Sequence, residues 1–133
     1  MMNATGTFEV KPGDETDVGE AGDGLRLTHA TGTQRFSGDI VGDGQIDWLM
    51  CYLPTKSARY VGLQRITGSI GGRTGSVVIE AVGSHDGKGS SATWRIVEGT
   101  GTDELEGIRG DGGFEAAGGA TVEYRLQYEV GGS

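Results

Sequence analysis

Two polar side chains, Asp47 and Gln64, stand in runs whose residues otherwise alternate in the manner of β-strands. A carboxylate that faces an apolar interior loses hydration, and this loss raises its pKa. Asp47 in such a place suits general acid or base chemistry, for example the cyclisation or isomerisation of a bound molecule. The structural alternative is a hydrogen bond between Asp47 and Gln64 or a backbone amide.

The stretch from Ala58 to Ser84 positions Gln64, because it predicts a long β-hairpin around Gly71-Gly72. A two-residue turn sets these cross-strand pairs: Ile70 with Arg73, Ile66 with Val77, Gln64 with Ile79, Gly62 with Ala81, and Tyr60 with Gly83. One face of the hairpin is mostly apolar yet carries an amide, a phenol and bare glycines. Such a face is typical of the lining of an interior.

Two further turns extend this hairpin to four strands. A four-residue loop, Pro54 to Ser57, places Asp47 opposite Gln64, and an Asp86-Gly87 turn places Ile79 opposite Trp94. The predicted row across one face is therefore Asp47, Gln64, Ile79 and Trp94. In this row Trp94 is buried with Gln64 as the acceptor for its indole N–H, whereas Trp48 lies on the outer surface.

The rest of the chain also alternates as strands and turns, with a single helical turn. We expect a bulge or bend near Gly32, where the hydrophobic phase changes. Thr102 is expected to cap the helical turn. Residues 11–24 form an acidic loop that is either solvated or a lid over a pocket. The predicted elements are strands Ala4 to Val10, Leu25 to Ile40, Gly113 to Ala116 and Thr121 to Val130, and a helical turn Thr102 to Leu105.

About eight strands in hairpin order, with no helices to cover a sheet, predict an all-β fold that closes into an antiparallel barrel. We expect one such domain over residues 1–133. An interior of this size is filled by side chains or holds one small ligand, and its glycines either leave space or only permit coiling. The expected ligand-binding lining consists of Tyr60, Gln64, Ile79, Trp94, Phe114, Tyr124 and Tyr128.

Charge and composition exclude several classes of function. A formal net charge of −8 argues against nucleic acid or an anionic membrane as partner. The single cysteine, Cys51, is expected on the interior face as an inert thiol, and the N-terminus lacks the pattern of a secretion signal, so a cytoplasmic location is expected. His29 and His85 lack metal-ligand spacing, and the glycine-rich stretches lack the helix that a nucleotide loop needs. We expect no metal and no cofactor.

The outward face of the same strands is too apolar for water. We therefore expect a homodimer or trimer through Trp48, Met50, Val61 and Leu63, joined by Val78 and Val82. The alternative is that residues 11–24 cover this surface.

Four runs of the sequence resemble a bacterial family, domain of unknown function 3224. They are the opening ATGTFEV, FSGDIVGDGQIDWLMCY, YVGLQRITGSIGGRTGSVVI and ATWRIVEGTGTDELEGIRGDGGFEA. The resemblance implies a barrel similar to allene oxide cyclase and to bacterial natural-product cyclases, but supplies no catalytic residues. Relatives often have acids where this chain has Asp47 and Gln64, and many have a histidine where it has Ala81.

Three functions remain open at this point. The first is a barrel that binds a small apolar molecule, such as a polyketide or lipid, without catalysis. The second is a cofactor-independent cyclase or isomerase that uses Asp47 as the proton-transfer group. The third is an oligomeric interaction module whose outer surface matters more than its interior.

Overall fold

Eight strands form a closed antiparallel barrel in the computed structural model, which describes residues 1–19, 22, 24–116 and 121–131. Each strand pairs with the next along the chain, and β1 also pairs with β8. The predicted closed all-β barrel is confirmed. The strands are β1 (Met2–Asp17), β2 (Arg26–Gly38), β3 (Ile40–Tyr52), β4 (Ala58–Ile70), β5 (Arg73–His85), β6 (Ser90–Ile96), β7 (Ile108–Ala116) and β8 (Thr121–Val130).

The hairpin of β4 and β5 has the predicted register. Gly71 and Gly72 form the turn with φ of 58° and 86°, a left-handed conformation that glycine adopts without steric cost. Gln64 therefore lies opposite Ile79, as the turn predicts. The other four predicted pairs of this hairpin are also present.

The connection between β3 and β4 is one residue shorter than predicted. Leu53 N–H donates to the carbonyl of Ser57 at 2.8 Å, and Lys56 has a left-handed φ of 66°, which gives a three-residue loop. As a result Ile46, not Asp47, lies opposite Gln64. Because side chains alternate along a strand, this shift of one residue turns Asp47 to the outer surface and Trp48 to the interior.

The turn between β5 and β6 differs from the prediction by two residues. The Asp86 carboxylate accepts hydrogen bonds from the backbone N–H groups of Lys88 and Gly89 at 2.8 and 2.9 Å, so Asp86 begins the turn. Trp94 therefore lies opposite Ala81 rather than Ile79. A shift of two residues keeps the same face inward, and Trp94 stays in the interior.

A bulge interrupts the pairing of β1 with β2 between Pro12 and Glu15. β2 itself keeps one phase, so the predicted change of phase near Gly32 is wrong, and the irregularity lies in the strand opposite. The one extra residue turns Glu15 towards the interior, opposite Ala30. Much of the predicted loop 11–24 is thus part of β1, and residues 20, 21 and 23 of that loop lie outside the described ranges.

The connection between β6 and β7 closes one end of the barrel. It runs beside β5, where Thr102 Oγ1 accepts the N–H of Ser76 at 3.0 Å. A 3₁₀ turn follows at Asp103–Leu105, and its Leu105 is buried in the core at 1% exposure. Thr102 makes no side-chain cap bond to this turn, so the predicted cap is wrong.

Aromatic side chains fill the middle of the barrel. Phe8 lies 5.3 Å from Phe36, and Trp94 lies 6.0 Å from Tyr124, both measured between ring centroids. Phe114 meets Phe8 edge-on at 5.5 Å. These rings separate the closed end from the opposite end, where the β3–β4 and β5–β6 loops lie. Within the part of the chain that the structure describes, no helix is long and apolar enough to cross a membrane.

Candidate ligand-binding site

A cavity of about 400 Å³ opens at the end of the barrel that Leu105 does not close. Its floor includes Phe8 and Phe114 of the aromatic core. Its walls are apolar and its rim is polar. The wall residues are Val10, Ala30, Trp48, Met50, Tyr60 and Val122, and the rim residues are Asp14, Glu15, Tyr52, His85 and Ser90.

Two aromatic walls rest on glycines of neighbouring strands. The Trp48 ring covers Gly32 and Gly62, and the Tyr60 ring covers Gly83, where any added Cβ would collide with it. The two rings meet edge to face at 6.5 Å. Burial raises the pKa of Tyr60 to about 12, so its phenol stays neutral at physiological pH.

Glu15 brings a carboxylate to the rim because the β1 bulge turns it inward. Its Oε2 accepts hydrogen bonds from Thr28 Oγ1 at 2.7 Å and from the Tyr52 hydroxyl. These two bonds hold the pKa of Glu15 below its usual value, so the group is ionised at neutral pH. Burial and the same bond to Glu15 raise the pKa of Tyr52.

Asp47, the predicted catalytic residue, lies on the outer surface and not in the interior. Its side chain is 59% exposed, and its Oδ1 lies 3.0 Å from Nε2 of His29. The prediction that Asp47 faces the interior beside Gln64 is wrong, because the β3–β4 loop is shorter than expected. Cys51 shares this outward phase, so its predicted interior position is wrong as well.

The predicted lining residues divide between the cavity and the core. Tyr60 and Phe114 line the cavity. The other five, Gln64, Ile79, Trp94, Tyr124 and Tyr128, are buried in the barrel interior and do not reach the cavity surface. The hydroxyl of Tyr124 donates to the carbonyl of Ser37 at 3.0 Å and accepts from the N–H of Ile40 at 2.9 Å, which is a structural role.

The predicted burial of Trp94 is confirmed, since its exposure is 2%. Among the described residues, however, neither its Nε1 nor Nε2 of Gln64 has a hydrogen-bond partner. The predicted bond from the indole to Gln64 is therefore not formed.

Sequence reasoning placed Trp48 and Met50 on the outside, yet both line the cavity. The signal was present in β3, where Ile46, Trp48, Met50 and Tyr52 alternate with Asp47, Leu49 and Cys51. The even-numbered positions carry the larger apolar side chains. This pattern is stronger evidence for which face of β3 points inward than an assumed length of the β3–β4 loop. The signal for Glu15 is weaker, because Pro12-Gly13 favours a bulge in β1 but does not determine which later residue turns inward.

Comparisons with known proteins agree with this architecture. A crystal structure of a protein of unknown function from Shewanella oneidensis MR-1 superposes with a TM-score of 0.86 and 24% identity, covering 100% of this chain and 99% of that one. That protein is described as a member of the DUF3224 family, and at this identity the likeness concerns the fold. No curated protein matches the sequence. The sequence matches the family described as "Protein of unknown function (DUF3224)" over residues 4–128, and the chain belongs to that family.

Proposed function

We propose that the chain binds a small, mainly apolar molecule in the cavity at the open end of the barrel. The observation that carries this proposal is the cavity itself, about 400 Å³ in volume, with aromatic and aliphatic walls and a few polar groups at its rim. This combination is typical of small-molecule sites. The aromatic core beneath it sets the depth to which a ligand enters.

The geometry favours binding over the alternative of a cyclase or isomerase. Asp47 lies outside, and the carboxylate at the rim, Glu15, has a lowered pKa. A carboxylate with a lowered pKa is a poor proton donor and a weakened base, whereas it is a good acceptor for a ligand's hydrogen-bond donor. Catalysis therefore stays the second hypothesis, and turnover of a recovered ligand is the observation that would establish it.

A pair of tryptophan substitutions on one strand tests the binding site. Met50→Trp fills the cavity from its wall, whereas Leu49→Trp adds the same ring on the outer surface, where Leu49 is 55% exposed. With the neutral fluorescent probe N-phenylnaphthylamine, we expect saturable binding to the native chain and to Leu49→Trp, and strongly reduced binding to Met50→Trp. Equal binding to both variants would place the probe elsewhere and contradict the proposal.

The physiological ligand is a separate question that mass spectrometry addresses. The native chain and Met50→Trp are purified from the same lysate under mild conditions, and bound small molecules are extracted from each. We expect an apolar compound enriched with the native chain and depleted with the filled variant. Incubation of that compound with the protein then distinguishes a binder from an enzyme.

We also propose that the outer face of β3, β4 and β5 joins a second copy of the chain. An outer patch of four apolar side chains supports this: Leu49, Val61, Leu63 and Val82, with exposures of 55%, 48%, 53% and 49%. Leu49, Val61 and Val82 are direct cross-strand neighbours. Trp48 and Met50, which were expected in this interface, face the cavity and are not part of the outer patch.

Charge around the outer patch fits a second copy. Asp47 and Glu80 flank Leu63 on the neighbouring strands, and Arg59 lies at the other end of the patch on β4. A second copy related by a two-fold axis through Val61 places Arg59 of each copy near the Asp47 and Glu80 carboxylates of the other. Such self-complementarity is the requirement of a two-fold interface.

Sedimentation velocity of two glutamate variants tests this interface. Leu63→Glu puts a charge in the patch, whereas Val41→Glu puts one at a similarly exposed site near the far end of β3. We expect the native chain and Val41→Glu to sediment as dimers at micromolar concentration and Leu63→Glu as a monomer. A monomeric native chain would remove the proposal.

A further inference from the structure

The charges at the cavity rim point to the chemistry of the ligand. The residues that line the cavity include two carboxylates, Asp14 and Glu15, and one histidine, His85, but no lysine or arginine among those described. Arg26, which lies next to the rim, already pairs with Asp17 at 2.8 Å. An anionic ligand would therefore meet like charge, and none of the described lining residues is a lysine or arginine that could balance it.

Glu15 has one oxygen available to a ligand. Thr28 and Tyr52 both donate to Oε2, and no protein donor among the described residues is bonded to Oε1. The carboxylate is also held in place by these two bonds. A fixed, ionised group with a free oxygen at a cavity mouth is suited to accept a charge-assisted hydrogen bond or to face a quaternary ammonium.

The aromatic rings of the cavity favour the same charge. Trp48, Tyr60 and Tyr52 lie in its wall and rim, and the negative faces of such rings attract cations. The rim already contains one example, since the guanidinium of Arg26 lies 5.6 Å from the centre of the Tyr52 ring. The protein's own cation thus already lies over this ring.

We propose that the cavity takes an apolar molecule that carries a protonated amine or quaternary ammonium, with the apolar body against Trp48 and Tyr60 and the cation at Glu15. This inference rests on the proposed function and adds the charge of the ligand. Fatty acids and other carboxylates of similar size are disfavoured, because their charge would lie beside Asp14 and Glu15.

Three probes that share one alkyl chain separate charge from apolar contact: decyltrimethylammonium, decanol and decanoate, each below its micelle concentration. Displacement of N-phenylnaphthylamine is measured at neutral pH and low salt, where Glu15 is ionised. We expect the ammonium to bind most tightly, the alcohol less so and the carboxylate most weakly. Added salt should weaken the binding of decyltrimethylammonium and leave the binding of decanol unchanged.

Two glutamine variants of β1 locate the effect. Glu15→Gln retains an acceptor for Thr28 and Tyr52 but loses the charge, and we expect it to weaken the ammonium roughly tenfold while sparing the alcohol. Glu9→Gln removes a charge from the outer face of the same strand and should change neither the ammonium affinity nor the alcohol affinity. Thermal melting of both variants checks that they are folded.

The outcomes distinguish the two proposals. Equal affinities for ammonium and carboxylate, or an unchanged ammonium affinity in Glu15→Gln, would overturn the charge preference while leaving apolar binding intact. No saturable binding of N-phenylnaphthylamine to the native chain would overturn both proposals, and failure of the ammonium probe to displace a dye that does bind would overturn the charge preference.

Discussion

At the scale of single residues, Asp47 shows how exposure changes the expected role of a carboxylate. Its contact with His29 lies on a surface exposed to water and salt, where such pairs contribute little to stability. We therefore expect Asp47→Asn to lower the free energy of unfolding by less than about 1 kcal/mol. Binding of N-phenylnaphthylamine should be unchanged, as measured by fluorescence titration, and a large loss of binding would put Asp47 back among the site residues.

Tyr60 gives the cavity a signature in alkaline solution. Its pKa rises from an ordinary value of 10.0 to about 12 because the phenolate is poorly hydrated in the folded chain. The folded state therefore binds the proton more tightly than the unfolded state. The resulting stability is fully present below pH 10.0 and is lost as pH rises towards about 12.

Denaturant titrations of the native chain and Tyr60→Phe over this pH range measure the effect. Burial also raises the pKa values of Tyr52 and Tyr124, so both proteins lose some stability in alkali. We expect the stability of the native chain to fall more steeply than that of Tyr60→Phe. Parallel curves would mean that the phenol of Tyr60 is well hydrated.

At the scale of elements, the β3–β4 loop decides which residues of β3 face the cavity. Its Lys56 has a φ of 66°, a conformation that costs a non-glycine residue roughly 1–2 kcal/mol. Glycine removes this cost, but it also gives the unfolded chain more conformational entropy, which offsets part of the gain. We expect Lys56→Gly to raise the free energy of unfolding by about 0.5 kcal/mol. Urea denaturation measures the change.

Thr55→Gly is the matched control in the same loop, because Thr55 does not have a positive φ. Here glycine adds freedom to the unfolded chain and also removes the exposed hydrogen bond between Thr55 Oγ1 and Ser57 Oγ at 2.8 Å, so we expect a loss of about 1 kcal/mol. Opposite signs for the two substitutions support the three-residue loop. A loss at both positions would argue against the left-handed residue and against the orientation of Trp48.

At the scale of the whole molecule, the aromatic core joins strands from opposite sides of the barrel. Trp94 on β6 lies 5.8 Å from Phe8 on β1 and 6.0 Å from Tyr124 on β8. Replacement of Trp94 by alanine leaves a void among these rings, and we expect a loss of about 3–5 kcal/mol in unfolding free energy. Trp48→Ala should lower the unfolding free energy by less than Trp94→Ala, because the Trp48 ring already borders a cavity.

Tryptophan fluorescence separates the two rings. In Trp48→Phe the remaining emission comes from Trp94, and we expect it to be blue-shifted and protected from iodide. In Trp94→Phe the emission comes from Trp48, which should respond when N-phenylnaphthylamine or another ligand enters the cavity. Ready quenching of Trp94 by iodide would contradict its position in the core.

The amino-acid sequence by itself determined the fold class and the hairpin of β4 and β5, because alternation and a Gly71-Gly72 turn are local properties. It also placed Trp94 inside, since an error of two residues leaves the face of a strand unchanged. The tertiary structure decided the site. A left-handed Lys56 reversed Asp47 and Trp48 through a shift of one residue, and a bulge in β1 turned Glu15 to the rim. Lys56 does not favour a left-handed φ, and Pro12-Gly13 allows a break in the pairing of β1 without fixing its register, so each conformation depends on how the closed barrel pairs its strands.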